Sequence, residues 1–127
     1  RGGKGAVQNG VLHVTPDRGK RQQLFIAAAS FKVPGQKLSA AVRMRVAKAG
    51  SAGIAWRQSE QKDFVAGQSV TFKCTESVKP QEYQVQIPAT DDVIHIRLLL
   101  PPGGADIASV ELRDGQGRSL RTWRFDK

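Results

Sequence analysis

Apolar and polar residues alternate along much of this chain with a period of two, the pattern of strands that turn one face to a core. Residues 93–100 show it most centrally: Ile94, Ile96, Leu98 and Leu100 are apolar, while His95 and Arg97 fall on the opposite face. Pro101-Pro102-Gly103-Gly104 ends the run, because neither helix nor strand continues easily through it. In residues 38–46, Leu38, Ala40, Val42, Met44 and Val46 alternate with Ser39, Ala41, Arg43 and Arg45. A helix there would put Arg45 in its apolar stripe, so a strand is predicted, with Arg43 and Arg45 outward.

Further strands follow the same logic. Asn9-Gly10 between Ala6-Val7 and residues 11–14 predicts a tight hairpin, and Pro16 to Arg21 a basic loop. Residues 24–31 are apolar and suit a buried strand, although Ala27-Ala28-Ala29 has helical propensity. Ala49 to Gly53 reads as a small-residue loop, followed by a strand at residues 54–57 with Ile54 and Trp56 inward and Arg57 outward. Gln58 to Lys62 is a polar excursion, and Phe64-Val65 is expected to plug the edge of the core. Strands are also predicted at residues 69–74, 82–87, 107–112 (Ala108, Val110 and Leu112 inward) and 120–125 (Trp123 and Phe125 in phase). Eight or nine short strands at this spacing predict an all-β fold, an antiparallel β-sandwich or jelly roll, as one domain over residues 1–127.

Charge changes the picture more than composition does. Twenty Lys and Arg against eleven Asp and Glu leave a net charge of +9, which favours polyanionic partners. The charges are spread along the chain, which argues for a charged face on a folded scaffold rather than a basic tail. No apolar run approaches the roughly 20 residues of a membrane span, so a soluble module is expected. The chain starts at Arg1 without methionine, and is expected to be a piece of something longer.

Catalytic chemistry finds little purchase. A nucleophilic mechanism needs a base, and only His13 and His95 could serve; both lie on predicted strands without a sequence-adjacent partner. The acids are scattered, Asp91-Asp92 reads as a turn, and metal-ligand spacings are missing. Cys74, in phase with Val70 and Phe72, reads as a small buried hydrophobe. No catalytic residue, cofactor or metal is predicted, and the chain reads as a non-enzyme. What remains is a binding face: Arg43, Arg45, Arg57, His95 and Arg97 all point away from the core, and would form one basic patch if their strands share a sheet. Trp56 and Trp123 fall inward by phase, in a core rather than on a sugar-stacking platform.

Several segments carry a resemblance. Residues 8–15 look like a "dG-L-h-V" opening, residues 38–46 an "l-r-R-r" strand, and Gly53-Ile54-Ala55-Trp56 a "g-i-W" strand. Residues 82–88, 94–98, 107–112, Gly117-Arg118 and Trp123-Arg124-Phe125 match the close of the same pattern. Together they are similar to the C-terminal carbohydrate-binding-module-like domain of secreted formylglycine-dependent sulfatases and related polysaccharide-degrading enzymes. Ala108-Ser109-Val110 stands where that family often has Asp-Trp-Ile, and Cys74 does not begin the sulfatase Cys-x-Pro-x-Arg motif. The resemblance implies a galactose-binding-like jelly roll, secreted or periplasmic as part of a larger chain. The expected role is a non-catalytic accessory module contacting an anionic polysaccharide. The alternative is a structural domain packing on its parent catalytic domain. Nucleic acid, suggested by charge alone, ranks last, since aromatics are 6% of residues and no stacking motif lies on a strand.

Overall fold

The computed structural model describes residues 3–8, 10–16 and 25–125. Asn9 of the predicted hairpin turn, the basic loop after Pro16, and Leu24 lie outside them. The described residues are all-β: ten strands in two antiparallel sheets, the architecture of a β-sandwich. The strands are β1 (Gly3–Gln8), β2 (Val11–Pro16), β3 (Phe25–Ala28), β4 (Leu38–Arg45) and β5 (Gly50–Gln58), then β6 (Ser69–Cys74), β7 (Gln81–Ile87), β8 (Val93–Leu99), β9 (Ala105–Arg113) and β10 (Ser119–Arg124). Ten strands exceed the expected eight or nine, and β3 occupies only four residues of the strand predicted over 24–31.

One sheet runs β1-β2-β9-β4-β7, with β10 pairing beside β2 on the same edge of β9; the other runs β3-β8-β5-β6. Leu38, Val42, Met44, Ile107 and Leu112 from the first sheet meet Ile54, Trp56, Ile96 and Leu98 from the second in one buried core. Alternation therefore predicted the inward face of β4 correctly. Ala41 is buried on the outer face as well, because its small side chain stands in register between the longer Gln84 and Glu111.

Bulges correct the phase elsewhere. On β8, Arg57 pairs with His95 but Gln58 pairs with Val93, so Ile94 is an extra residue and Val93 takes the fully buried place expected for Ile94. On β9, Arg43 pairs with Ser109 and Met44 with Ile107, so Ile107 rather than Ala108 is buried. The predicted loop at Ala49 to Gly53 is mostly strand. Gly53 is needed there because a Cβ would lie 2.6 Å from the Val70 carbonyl oxygen on β6. Gln58 closes β5 as a buried polar residue, its Oε1 accepting from the Trp56 indole at 3.3 Å and from the Thr90 N–H at 2.9 Å.

Candidate functional site

The five outward cations fall on two opposite faces, because β4 belongs to the six-stranded sheet while β5 and β8 are neighbours in the four-stranded one. The single patch expected from the sequence is therefore divided. Arg57, His95 and Arg97 are brought together; Arg43 and Arg45 are not part of their group.

On the four-stranded sheet, Arg57 stands directly across from His95, and Arg97 stands across from Ala55 on one side and Ala27 on the other. The two alanines leave room for the guanidinium to lie along the sheet. It does so between two aromatic rings, 3.9 Å from the Phe64 centroid and 4.9 Å from the Phe25 centroid. Such contacts hold an arginine by its flat faces and leave the Nη end of the guanidinium for ligands. Its Nε is buried with no hydrogen-bond partner.

Phe64 arrives from the β5–β6 connection, which folds back over the outer face rather than plugging the core as expected. Glu60 and Gly67, both with φ near +70 to +90°, turn the connection at its two ends. Gln61 and Gln68 exchange side-chain hydrogen bonds at 3.1 and 2.9 Å, Gln68 Nε2 donates to the Trp56 carbonyl at 3.1 Å, and Arg57 Nη1 donates to the Gln61 carbonyl. Phe64 then meets the His95 ring edge-on at 4.7 Å. Partial burial, followed by the charges of Arg57 and Arg97, holds His95 below the ordinary histidine range.

The six-stranded face is electrostatically different. Arg45 grips Asp106 through Nε at 3.1 Å and Nη2 at 2.8 Å, and His13 Nδ1 lies 2.7 Å from the other oxygen of the same carboxylate. Partial burial would raise the Asp106 pKa, but the hydrogen bonds and charges of His13 and Arg45 outweigh it and hold the carboxyl below its usual range. Arg113 is bonded to Glu111 through Nε. Arg43 is exposed and makes no hydrogen bond or ion pair with a described residue. His13 thus has a carboxylate partner that the sequence did not suggest, in a salt-bridge cluster with Arg45.

The strands of the four-stranded sheet carry Arg57, Lys73, Arg97 and His95 and contain no Asp or Glu. Those of the other sheet carry Glu82, Asp106 and Glu111 among their cations. Among the described residues, no three His, Cys, Asp or Glu side chains group to hold a metal ion. Burial raises the Cys74 thiol, against a smaller opposing effect of the Ala52 backbone. Phe25 and Phe64 are the site residues that sequence reasoning missed. Phe25 was readable as an outward residue once its strand was accepted, whereas nothing local marks a loop phenylalanine as a partner of Arg97. No protein-family model, curated protein or solved structure matches the chain.

Proposed function

We propose that this chain is a non-catalytic accessory module of a secreted or periplasmic sulfatase or glycoside hydrolase. It contacts a sulfated polysaccharide through the outer face of its four-stranded sheet. The resemblance in strand and turn patterns supports the parentage and the galactose-binding-like jelly-roll form. One observation carries the binding face: Arg57, Lys73 and Arg97 stand on a sheet whose strands hold no acid, while Arg45 and Arg113 on the other sheet are bonded to carboxylates. Unneutralised guanidinium edges match sulfate oxygens bidentately, and the Phe25–Arg97–Phe64 stack orients one of them in advance.

Retention of the chain on dextran sulfate and on unsulfated dextran, at low and at physiological salt, tests this reading. Sulfation-dependent retention that survives physiological salt and is lost in Arg57→Ala/Arg97→Ala supports it. Loss of all retention at physiological salt, where exposed charges are screened beyond about 8 Å, would assign the +9 charge to nonspecific attraction. The second reading, a domain that packs on its parent catalytic domain, then takes precedence. It is favoured by an apolar cavity of about 140 Å³ at the edge between the sheets, where Leu12, Ile26, Trp123 and Phe125 remain partly exposed.

A further inference from the structure

The outer face of the six-stranded sheet holds a groove of about 320 Å³ that the cations of the other sheet do not touch. Its floor comes from three neighbouring strands. Gln86, Ser39 and Arg113 stand in one cross-strand row over β7, β4 and β9, and Gln84 stands one row along beside Ala41. Two carboxamides and a hydroxyl therefore stand together on rigid backbone; Gln84 Nε2 already donates to Glu82 at 2.6 Å, which leaves its carbonyl oxygen and second N–H for a ligand.

Lys37 forms the wall, and the backbone is shaped to put it there. Its φ is +52°, in the left-handed region that a glycine or asparagine would occupy with less strain. Its stem lies on Gly115 of the β9–β10 hairpin, where an added Cβ would come within 2.9 Å of the Lys37 Cβ and Cδ. Any other residue at Gly115 would displace the stem. The nearby Asp114 does not neutralise the lysine: its carboxylate accepts from the Gln116 N–H at 2.9 Å, the Arg118 N–H at 2.9 Å and Arg118 Nε at 3.1 Å. Lys37 makes no ion pair with a described residue. Arg113, by contrast, is already engaged by Glu111.

The geometry points to a binding subsite for a carboxylate-bearing sugar, a hexuronate unit of a polysaccharide. Lys37 takes the carboxylate, and Gln84, Gln86 and Ser39 take ring hydroxyls, which are donors and acceptors in the same way as the groups they meet. The volume is at the lower end of ligand pockets, about 300–1,000 Å³, and suits a short segment rather than a long chain. Of the charged residues lining the groove, Arg113 is bonded to Glu111 and Asp114 to Arg118, which leaves Lys37 as the lining cation without an ion pair to a described residue, and one such cation fits one carboxylate per unit. The subsite shares only the ligand class with the function proposed above, and uses none of its residues.

Backbone-amide NMR of the chain titrated with a galacturonate trisaccharide, with its methyl ester and with hexaglutamate tests the assignment. The acid sugar should shift Lys37, Ser39, Gln84, Gln86 and Gly115, and the ester should bind at least about tenfold more weakly. Lys37→Gly relieves the strained φ, so it should keep or raise the melting temperature while weakening binding by about tenfold or more. Gly115→Ala should weaken binding by displacing the lysine stem. An unchanged affinity in Lys37→Gly, equal shifts with hexaglutamate, or no shifts with the acid sugar would each overturn the subsite. Retention of Lys37→Gly on dextran sulfate reads the other face separately, so the failure of either proposal is recognisable.

Discussion

The guanidinium of Arg97 lies 3.9 Å from the ring centroid of Phe64, so a residue from a long connection closes over a cation at the centre of the four-stranded sheet. The contact joins loop conformation to surface charge: without Phe64, Arg97 would keep only the Phe25 ring, at 4.9 Å. Phe64→Ala should therefore lower stability by about 1–2 kcal/mol, the range of a partly desolvated cation–π contact plus some lost packing. Urea unfolding measures it. A loss below about 0.5 kcal/mol would mean that the stack contributes no more than an ordinary surface substitution.

The bulges can be tested by truncation. Ile107→Ala should cost about 2–5 kcal/mol as the loss of a fully buried side chain, and Ile94→Ala distinctly less, because Ile94 is the extra residue of its bulge. A loss in Ile94→Ala equal to that in Ile107→Ala, measured in denaturant titrations, would mean that Ile94 is not the extra residue of its bulge.

Gly53→Ala sets a Cβ against a backbone oxygen at 2.6 Å, and that oxygen belongs to a paired strand that cannot move alone. The expected cost is about 1–3 kcal/mol, in line with overpacking, together with faster amide hydrogen exchange in β6. A variant as stable as the parent would show that β5 and β6 separate freely.

His95 and Asp106 are two of the groups whose titration should shape stability against pH. His95, depressed by burial and by Arg57 and Arg97, binds fewer protons folded than unfolded. Its contribution is complete above the unfolded value of about 6.5 and is lost as pH falls through the lower folded value. Asp106, held low by His13 and Arg45 against its burial, contributes above about 3.9, and that contribution is lost as pH falls through its own folded value. Urea midpoints measured across this range should decline in an upper step that His95→Gln removes and a lower step that Asp106→Asn reduces, the remainder coming from Glu111 and Asp114, whose carboxyls are also held below their usual range. An upper step persisting in His95→Gln would exclude His95 as its source.

Much of the fold was readable from the chain. The alternation of Leu38, Ala40, Val42, Met44 and Val46 is a local property of an extended backbone with one face buried, so it survives folding unchanged. The predicted strand at residues 69–74 coincides with β6 for the same reason. Local patterning failed where one inserted residue reset the phase, at Ile94 and at Ala108. It also failed at Gly50 to Gly53, where glycine marks a close approach between strands rather than a loop.

By itself the sequence determined that this is a basic all-β chain, that Trp56 and Cys74 go inward, and that Arg43, Arg45, Arg57, His95 and Arg97 go outward. Only the tertiary structure decided which way outward is. A sandwich has two outer faces pointing in opposite directions, and a period of two tells inside from outside without telling one sheet from the other. Strand pairing made that choice. It put Arg57 beside His95, brought Asp106 to His13 across 93 residues of chain, and left Arg43 on the far side. These partners are set by long-range hydrogen-bond register and core packing, which no local window of the sequence contains.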